Sequence, residues 1–339
     1  MSVVLTIVLV VVLVLSVAYG LVNGMRDAPN AIALPVRSRA LTPGTALLLA
    51  AVMNLIGGVL SGGFMAAAWT SLPAELHGGG QGLLLAGVGF LTAVGWGLFA
   101  WARGMPVSMT QSLITAVLGA SLALAVTGDL PFFASWSLGL VATILLGLVV
   151  TTLLAWALSW VLVTPATGLA RDAAPGAVNH AARMSLAVTG ALNALGHGVQ
   201  SGQRITFGLL LALAAADVPE AVGWWLPVFV GAVLAVGTLF GGWRIAHTLT
   251  ERIVVLDPLR AGIASLVSAG LLFVGAYALH LPLSSTHAAV GSIVGAGQNQ
   301  RYRSIRWPQV VRIAGYWLAT LAACTGCGVL LAAAASPLL

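Results

Sequence analysis

Apolar runs close to 20 residues long recur along the whole chain, separated by short polar or glycine-rich connections. A run of about 20 apolar residues is long enough to span a bilayer as a helix. No Lys or Arg precedes the first run, which favours a retained span over a cleaved signal peptide. The pattern predicts ten spans, with both termini outside: residues 2–36, 44–64, 82–102, 105–127, 132–163, 184–216, 222–243, 261–280, 283–298 and 308–335.

Composition supports this architecture, because 60% of the 339 residues are hydrophobic and only 6% are charged. The sequence therefore predicts an all-α polytopic membrane protein embedded in the lipid bilayer, and no nucleic-acid partner despite the net charge of +6. Most arginines lie in one set of connections: Arg37, Arg39, Arg171, Arg183, Arg244, Arg252, Arg260, Arg301, Arg303 and Arg306. The alternate connections carry acids and no Arg: Glu75, Asp129, Asp217 and Glu220. The Arg-rich loops are therefore predicted to be cytoplasmic, in a multi-pass protein of a bacterial plasma membrane.

Two predicted spans, 2–36 and 184–216, are too long for a single crossing. At about 1.5 Å per residue each would measure roughly 50 Å, against a hydrocarbon core of about 30 Å. Each contains a possible interruption, NGMRDAPNA in the first and GHGVQSGQR in the second. These motifs predict broken helices, with a Pro or Gly kink as the simpler alternative.

Spacing relates the two halves of the chain. Gly198 follows Gly24 by 174 residues, and Pro282 follows Pro106 by 176. The sequence thus predicts a first repeat over 1–163, a cytoplasmic connecting loop over 164–183 and a second repeat over 184–339. Five spans per half is an odd number, so the repeats are expected to be inverted. Their broken and re-entrant helices would meet at the membrane midplane, as in secondary transporters.

The segments PVSMT and PLSST each place a proline and hydroxyl side chains ahead of a Gly- and Ala-rich run. A helix that begins within the membrane presents unpaired N–H groups and the positive end of its dipole, which attract anions. The predicted anion-binding hydroxyls are Ser108, Thr110, Ser284, Ser285 and Thr286. The alternative is that these hydroxyls only bond to carbonyls of their own helices.

Asp27 is the one acid placed inside an apolar segment, and such residues mark ion or proton pathways. An ion pair with the adjacent Arg26 would need non-helical backbone, since neighbours in a helix do not face one another. Asn23 and Asn30 could provide oxygen ligands for Na⁺ or contacts to the anion. His197, His287 and Arg204 lie in the related motifs, and the sequence leaves open whether His287 holds a proton or caps a helix. No structural metal site is expected.

With these residues in place, the chain resembles the inorganic phosphate transporter (PiT) family of anion/cation symporters. The resemblance extends over nearly the whole length, through NGMRDAPNAIALPV, GMPVSMTQSLITAVLGA, GHGVQSGQRITFGLLLAL, GGWRIAHTLTERIVVLDPLRAGIASL and LPLSSTHAAVGSIVGAG. It implies symport of phosphate with Na⁺ or H⁺ and no cofactor. The implied anion-binding residues are the five hydroxyls and Gln203. The implied cation or proton residues are Asp27, Asn23, Asn30, Gln200 and Ser201.

The chain departs from the family pattern at four places. Where both broken-helix motifs usually carry Asn-Asp, this sequence has Arg26-Asp27 and Gln200-Ser201, so the second acid is missing. A family Lys is replaced by Arg204, and a family His by Gln111. We therefore expect coupling to a proton through Asp27, or to fewer Na⁺ ions.

Three alternatives to a phosphate symporter remain from the sequence. Sulfate has the same tetrahedral shape as phosphate, but it only accepts hydrogen bonds, so an ionised Asp27 touching the anion would favour phosphate. A passive anion channel could use the same re-entrant helices. A membrane enzyme is disfavoured, because the sequence has no nucleophile and base pattern. Association into a homodimer is left open.

Overall fold

The computed structural model describes residues 2–63, 80–127, 138–218, 223–275, 283–298, 300 and 304–338. These residues form helices and their connections: α1 (Val3–Arg37), α2 (Pro43–Leu60), α3 (Gly80–Ala102), α4 (Met109–Thr127), α5 (Leu138–Leu169), α6 (Pro175–Ala215), α7 (Trp225–Leu239), α8 (Trp243–His247), α9 (Pro258–Phe273), α10 (Ser285–Gln298) and α11 (Trp307–Ala335). A π-helical turn, Thr248–Ile253, continues α8, and a 3₁₀ turn, Ser336–Leu338, follows α11. Each of the ten predicted spans overlaps one of these helices, several of which extend beyond the predicted bounds.

The helices are apolar on the outside as well as within, as a lipid-facing surface requires. Six of them, α1 to α5 and α11, are long and apolar enough to cross a membrane. The segments Trp225–Leu239 and Trp243–Ile253 bend by 62° at a short break and could together form a seventh span. Helices α9 and α10 have 16 and 14 residues, so at about 1.5 Å per residue each is shorter than a hydrocarbon core of about 30 Å.

Both predicted interruptions are absent from the backbone, since α1 and α6 run as uninterrupted helices through their motifs. In α1, Pro29 has no N–H for the carbonyl of Met25, and the chain at Gly242 packs against that carbonyl and the proline ring. In α6 the glycines mark close contacts rather than breaks. Gly198 meets the backbone of Asn54, so a glycine is needed there for packing.

The predicted connecting loop at 164–183 is also wrong in extent. Helix α5 continues to Leu169 and α6 begins at Pro175, so five residues join them. Proline at the first position of α6 suits a helix start because its missing N–H would be unpaired there in any case. Several residues named from the sequence lie outside the described residues: Glu75, Asp129, Glu220, Pro282, Arg301 and Arg303.

Helices of the two predicted halves pack against each other in matched pairs. Helix α1 packs on α7 where Gly24 meets Gly237, and α6 packs on α2 where Gly198 meets Asn54. Likewise α4 packs on α11, and α10 packs on α5. Small residues allow such close approach in membrane proteins, where van der Waals packing holds helices together. These are the pairs that the predicted repeat would relate, while the inverted orientation of the halves stays a prediction.

Gly198→Ala is expected to destabilise the protein by about 1–3 kcal/mol, the usual range for overpacking. A methyl group at this position would lie 2.6 Å from the carbonyl oxygen of Asn54 and 2.9 Å from its Cα, and neither backbone atom can move independently of α2. Thermal unfolding of the purified protein in detergent measures the effect. Gly176→Ala is the matched control, because Gly176 lies in the same helix with no atom within 4 Å of the added methyl. An equal unfolding temperature for both variants would contradict the packing argument.

Candidate functional site

Two short helices begin inside the molecule, and each start is capped by a serine. The Ser108 hydroxyl accepts from the N–H of Gln111 at 3.2 Å at the start of α4. The Ser284 hydroxyl accepts from the N–H of His287 at 3.4 Å at the start of α10. Both serines are at most 2% exposed. The predicted pair of buried helix starts is therefore present, with serine caps that satisfy one N–H each and leave others at the helix ends.

The turn before α4 is held in place by glycine geometry. Gly104 has a φ of 67°, a left-handed conformation that favours glycine. The N–H of Met105 bonds to the carbonyl of Ala100 at 2.9 Å, closing the end of α3. The hydroxyl of Thr248 donates to the carbonyl of Gly104 at 2.7 Å. The turn thereby directs Pro106 to Ser108 into the protein interior.

Helix α1 contacts the start of α10 directly. The Ser285 hydroxyl donates to Asp27 Oδ2 at 3.2 Å, and Asn30 Nδ2 donates to Ser285 Oγ at 3.2 Å and to Thr286 Oγ1 at 3.4 Å. The Thr286 hydroxyl in turn donates to the carbonyl of Val107, at 3.4 Å. The structure thus brings together α1, the segment before α4 and the start of α10.

Helix α6 reaches the same place through His197. Its Nε2 lies 3.3 Å from Asp27 Oδ2 and 3.0 Å from Ser201 Oγ, and its Nδ1 lies 2.8 Å from Asn54 Oδ1. Asp27 and His197 are 6% and 4% exposed. Asp27 is therefore not paired with Arg26: α1 is helical there, and among the described residues Arg26 has no carboxylate oxygen within 4 Å.

A chain of hydrogen bonds indicates where the protons of His197 lie. The hydroxyl of Thr238 donates to the carbonyl of Leu234 at 2.8 Å, so it accepts from Asn54 Nδ2 at 2.9 Å. The oxygen of Asn54 then faces His197, whose Nδ1 must donate. A neutral imidazole protonated at Nδ1 has only a lone pair at Nε2. A direct hydrogen bond between Nε2 and Asp27 therefore requires one more proton, on Nε2 or on the carboxyl group, whereas without it the hydroxyl of Ser201 can donate to Nε2.

The other predicted residues occupy different positions around this centre. Gln200 Nε2 donates to the carbonyl of Leu272 at 2.9 Å, and Arg204 Nη2 donates to Gln200 Oε1 at 2.7 Å and to the carbonyl of Leu283 at 2.6 Å. Asn23 is fully buried, and neither of its side-chain polar atoms has a partner among the described residues. Thr110 is buried at the first turn of α4, and Gln203 is half-buried on α6.

His287 acts as a capping partner in this structure. Its Nδ1 lies 2.9 Å from Ser284 Oγ, and its ring stacks on Trp317 with centroids 3.9 Å apart. Trp317 also donates from Nε1 to the carbonyl of Pro106 at 2.9 Å, and its own carbonyl accepts from Gln111 Nε2 at 3.0 Å. Trp317, on α11, therefore joins the two helix starts.

Sequence reasoning missed Trp317 and Asn54. Nothing in the local sequence distinguishes Trp317 from the ten other tryptophans. Asn54 carried a usable signal, because a lone amide in the middle of an apolar run must find a partner in the membrane.

Comparison with known proteins gives a consistent result. The sequence matches the family described as "Phosphate transporter family" over residues 23–328. A protein of Bacillus subtilis (strain 168), named "Probable low-affinity inorganic phosphate transporter", is 30% identical over 94% of this chain and 94% of its own length. One of the same name from Rhizobium meliloti (strain 1021) is 31% identical over 93% of this chain and 92% of its own.

A solved structure described as "The sodium-dependent phosphate transporter" has the same fold. It aligns with a TM-score of 0.72 over 98% of this chain and 100% of its own, at 17% identity. This likeness supports the predicted all-helical membrane fold and, at that identity, is evidence for the fold alone.

Proposed function

The chain belongs to the phosphate transporter family, and on that premise we propose that it carries inorganic phosphate across the membrane together with a proton. It is an integral membrane protein of a transporter family and not an enzyme. The observation that carries the proposal is the contact of Asp27 with both His197 and Ser285. The Asp27 carboxylate thereby contacts both the imidazole with which it would share the proton and a hydroxyl at the start of α10.

In this proposal the anion binds at the two helix starts, where Ser108, Thr110, Ser284, Ser285 and Thr286 supply hydroxyl donors beside free N–H groups. Gln203, which is half-buried on α6, is proposed as a further contact to the anion. The coupling proton resides on Asp27 and His197. Ser201 contacts His197 directly, and Asn30 is linked to Asp27 through Ser285. Asn23 and Gln200 are proposed as further polar groups of the coupling site.

Proton and anion binding strengthen each other through charge. Without the proton, Asp27 is a negative charge hydrogen-bonded to Ser285, next to the place where the anion binds. Adding the proton removes that repulsion, so the protonated site binds the anion more tightly. By reciprocity, bound anion raises the affinity for the proton by the same factor, about 5- to 150-fold for typical coupled sites.

Transport also requires that the site open to one side at a time. Asp27, His197 and the hydroxyls at the helix starts are buried in this structure, as in a state closed to both sides. We assign the cycle to alternating access, in which one part of the molecule moves against another around the fixed site. A permanently open pore is disfavoured by this burial.

Uptake of labelled phosphate into proteoliposomes tests the proposal. An acid-outside gradient in sodium-free buffer is expected to drive saturable uptake that excess unlabelled sulfate does not reduce, whereas an inward Na⁺ gradient at equal pH drives none. Liposomes without protein are the control.

Each other outcome contradicts a separate part of the proposal. Phosphate uptake driven only by Na⁺ would contradict the proton as coupling ion and leave phosphate as the substrate. Uptake of labelled sulfate in place of phosphate would contradict phosphate as the substrate. Flux that never saturates and ignores both gradients would indicate a passive channel.

A further inference from the structure

Arg26 is a buried cation with most of its hydrogen-bonding capacity unused. Its side chain is 1% exposed, and Nη2 donates to the carbonyl of Val107 at 3.1 Å. Nε and Nη1 have no partner among the described residues. Buried guanidinium N–H groups are normally paired, because an unpaired one loses its hydration without compensation. An arginine held in this way indicates a missing anionic partner.

The free donors of Arg26 lie at the helix starts. The carbonyl of Val107, which Arg26 contacts, also accepts from the hydroxyl of Thr286 and immediately precedes the capping Ser108. Asn23 lies one turn earlier on the same face of α1, fully buried, with its amide also unpartnered among the described residues. Arg26 thus has unpaired N–H groups beside the start of α4, and Asn23 adds an unpaired amide on the same face of α1.

Arg204 repeats this arrangement at the other helix start. Its Nη2 donates to the carbonyl of Leu283, the residue before the capping Ser284, and its Nε is buried without a partner in the described part of the chain. Each arginine therefore holds the carbonyl that precedes a capping serine and keeps further N–H groups free. The two arginines correspond in their place in the structure and not in the repeat. They are 178 residues apart, whereas the repeat-related Gly24 and Gly198 are 174 apart.

We propose that Arg26 binds the transported anion directly, through guanidinium N–H groups that the described residues leave unpaired, and supplies part of the positive charge that balances it. The inference rests on the proposed function, because it places the anion at the two helix starts. A guanidinium offers, along either edge, two parallel N–H donors that match two oxygens of a tetrahedral oxyanion. Nη2 carries a second N–H besides the one given to Val107, so it can complete such a pair with Nε or with Nη1. When the coupling proton is added to the one already on His197 Nδ1, the Asp27 and His197 pair is neutral overall. Arg26 and Arg204 then leave a charge of two, which complements dibasic phosphate.

Isothermal titration of the purified protein with inorganic phosphate, in sodium-free buffer, tests the role of Arg26. Arg26→Gln is expected to weaken phosphate binding on the order of 10- to 100-fold, the range for lost charged hydrogen bonds. Arg26→Lys should lie in between, because it keeps the charge without the two parallel donors. Arg244→Gln is the matched control. Arg244 also donates to a single backbone carbonyl, that of Ala102 at 3.1 Å, but it is exposed and stacks on Trp101.

Thermal unfolding in phosphate-free buffer distinguishes an anion-binding role of Arg26 from a role in stabilising the fold. Arg26→Gln removes a buried charge whose Nε and Nη1 are unpaired. Its unfolding temperature should therefore be equal to or above that of the wild type. Phosphate should then raise that temperature in the wild type and in Arg244→Gln, and much less in Arg26→Gln.

Two results would overturn the role of Arg26: wild-type phosphate affinity in Arg26→Gln, or a lowered unfolding temperature of that variant without phosphate. If the wild type binds sulfate and not phosphate, the proposed substrate fails, and the same comparison with sulfate decides the role of Arg26. Binding of neither anion by the wild type counts against both proposals.

Discussion

Asp27→Asn is expected to reduce proton-driven phosphate uptake on the order of 100-fold, the upper part of the range for coupled sites. Asparagine keeps the size of the side chain. Its amide oxygen can accept from the Ser285 hydroxyl, as Asp27 Oδ2 does at 3.2 Å. It cannot take up the proton that the contact with His197 requires. The measurement is initial uptake of labelled phosphate into proteoliposomes under an acid-outside gradient.

Asp257→Asn provides the matched control for this variant. Asp257 caps α9 by accepting from the N–H of Arg260 at 3.0 Å, and asparagine caps helices equally well. Uptake by this variant should stay within about twofold of the wild type, since the partly exposed ion pair with Arg260 that it weakens contributes at most about 1 kcal/mol to folding and lies outside the proposed site. Equal amounts of protein in the liposomes and an unchanged elution profile exclude misfolding. Undiminished gradient-driven uptake by Asp27→Asn would remove Asp27 from the coupling mechanism.

The positions of the helices followed from sequence because the bilayer sets a fixed length for apolar runs. The two buried helix starts followed for a similar reason, because a proline and hydroxyl residues ahead of a Gly- and Ala-rich run lie close together in sequence. Ser108 and Ser284 cap these starts by accepting from the N–H groups of Gln111 and His287, whereas the sequence had indicated them only as donors to an anion. Such local rules act between residues a few positions apart, so the sequence displays them.

The contacts between distant segments did not follow. The glycines around Gly198 suggested a broken helix, but they serve close packing of α6 on α2, and this depends on the partner helix. The same limit applies to Asn54, which is 143 residues from His197. An amide in an apolar run predicts that a partner exists without naming it. Arg26 is similar: the sequence indicated that an ion pair with the adjacent Asp27 needs non-helical backbone, and α1 is helical there, but nothing in the sequence pointed to the carbonyl of Val107.

His197→Phe is expected to produce a loss of gradient-driven uptake similar to that of Asp27→Asn, on the order of 100-fold. Phenylalanine fills the same buried space on α6 but cannot accept a proton or bond to Asn54 and Ser201, which His197 contacts at 2.8 Å and 3.0 Å. Asp27 would then carry its charge with no imidazole partner. His180→Phe is the control on the same helix, because His180 is exposed and its replacement should leave uptake unchanged.

A second measurement on His197→Phe distinguishes a proton carrier from an anion ligand. Exchange of labelled for unlabelled phosphate at equal pH on both sides needs no net proton movement. If His197 carries the proton, the variant should therefore retain a larger fraction of wild-type exchange than of wild-type gradient-driven uptake. Loss of both activities in a folded protein would place His197 among the anion contacts instead. Wild-type gradient-driven uptake would contradict any role for the Asp27 and His197 pair in coupling. Because Asn54 sets the proton position on His197, Asn54→Leu should show the same separation of the two activities to a smaller degree.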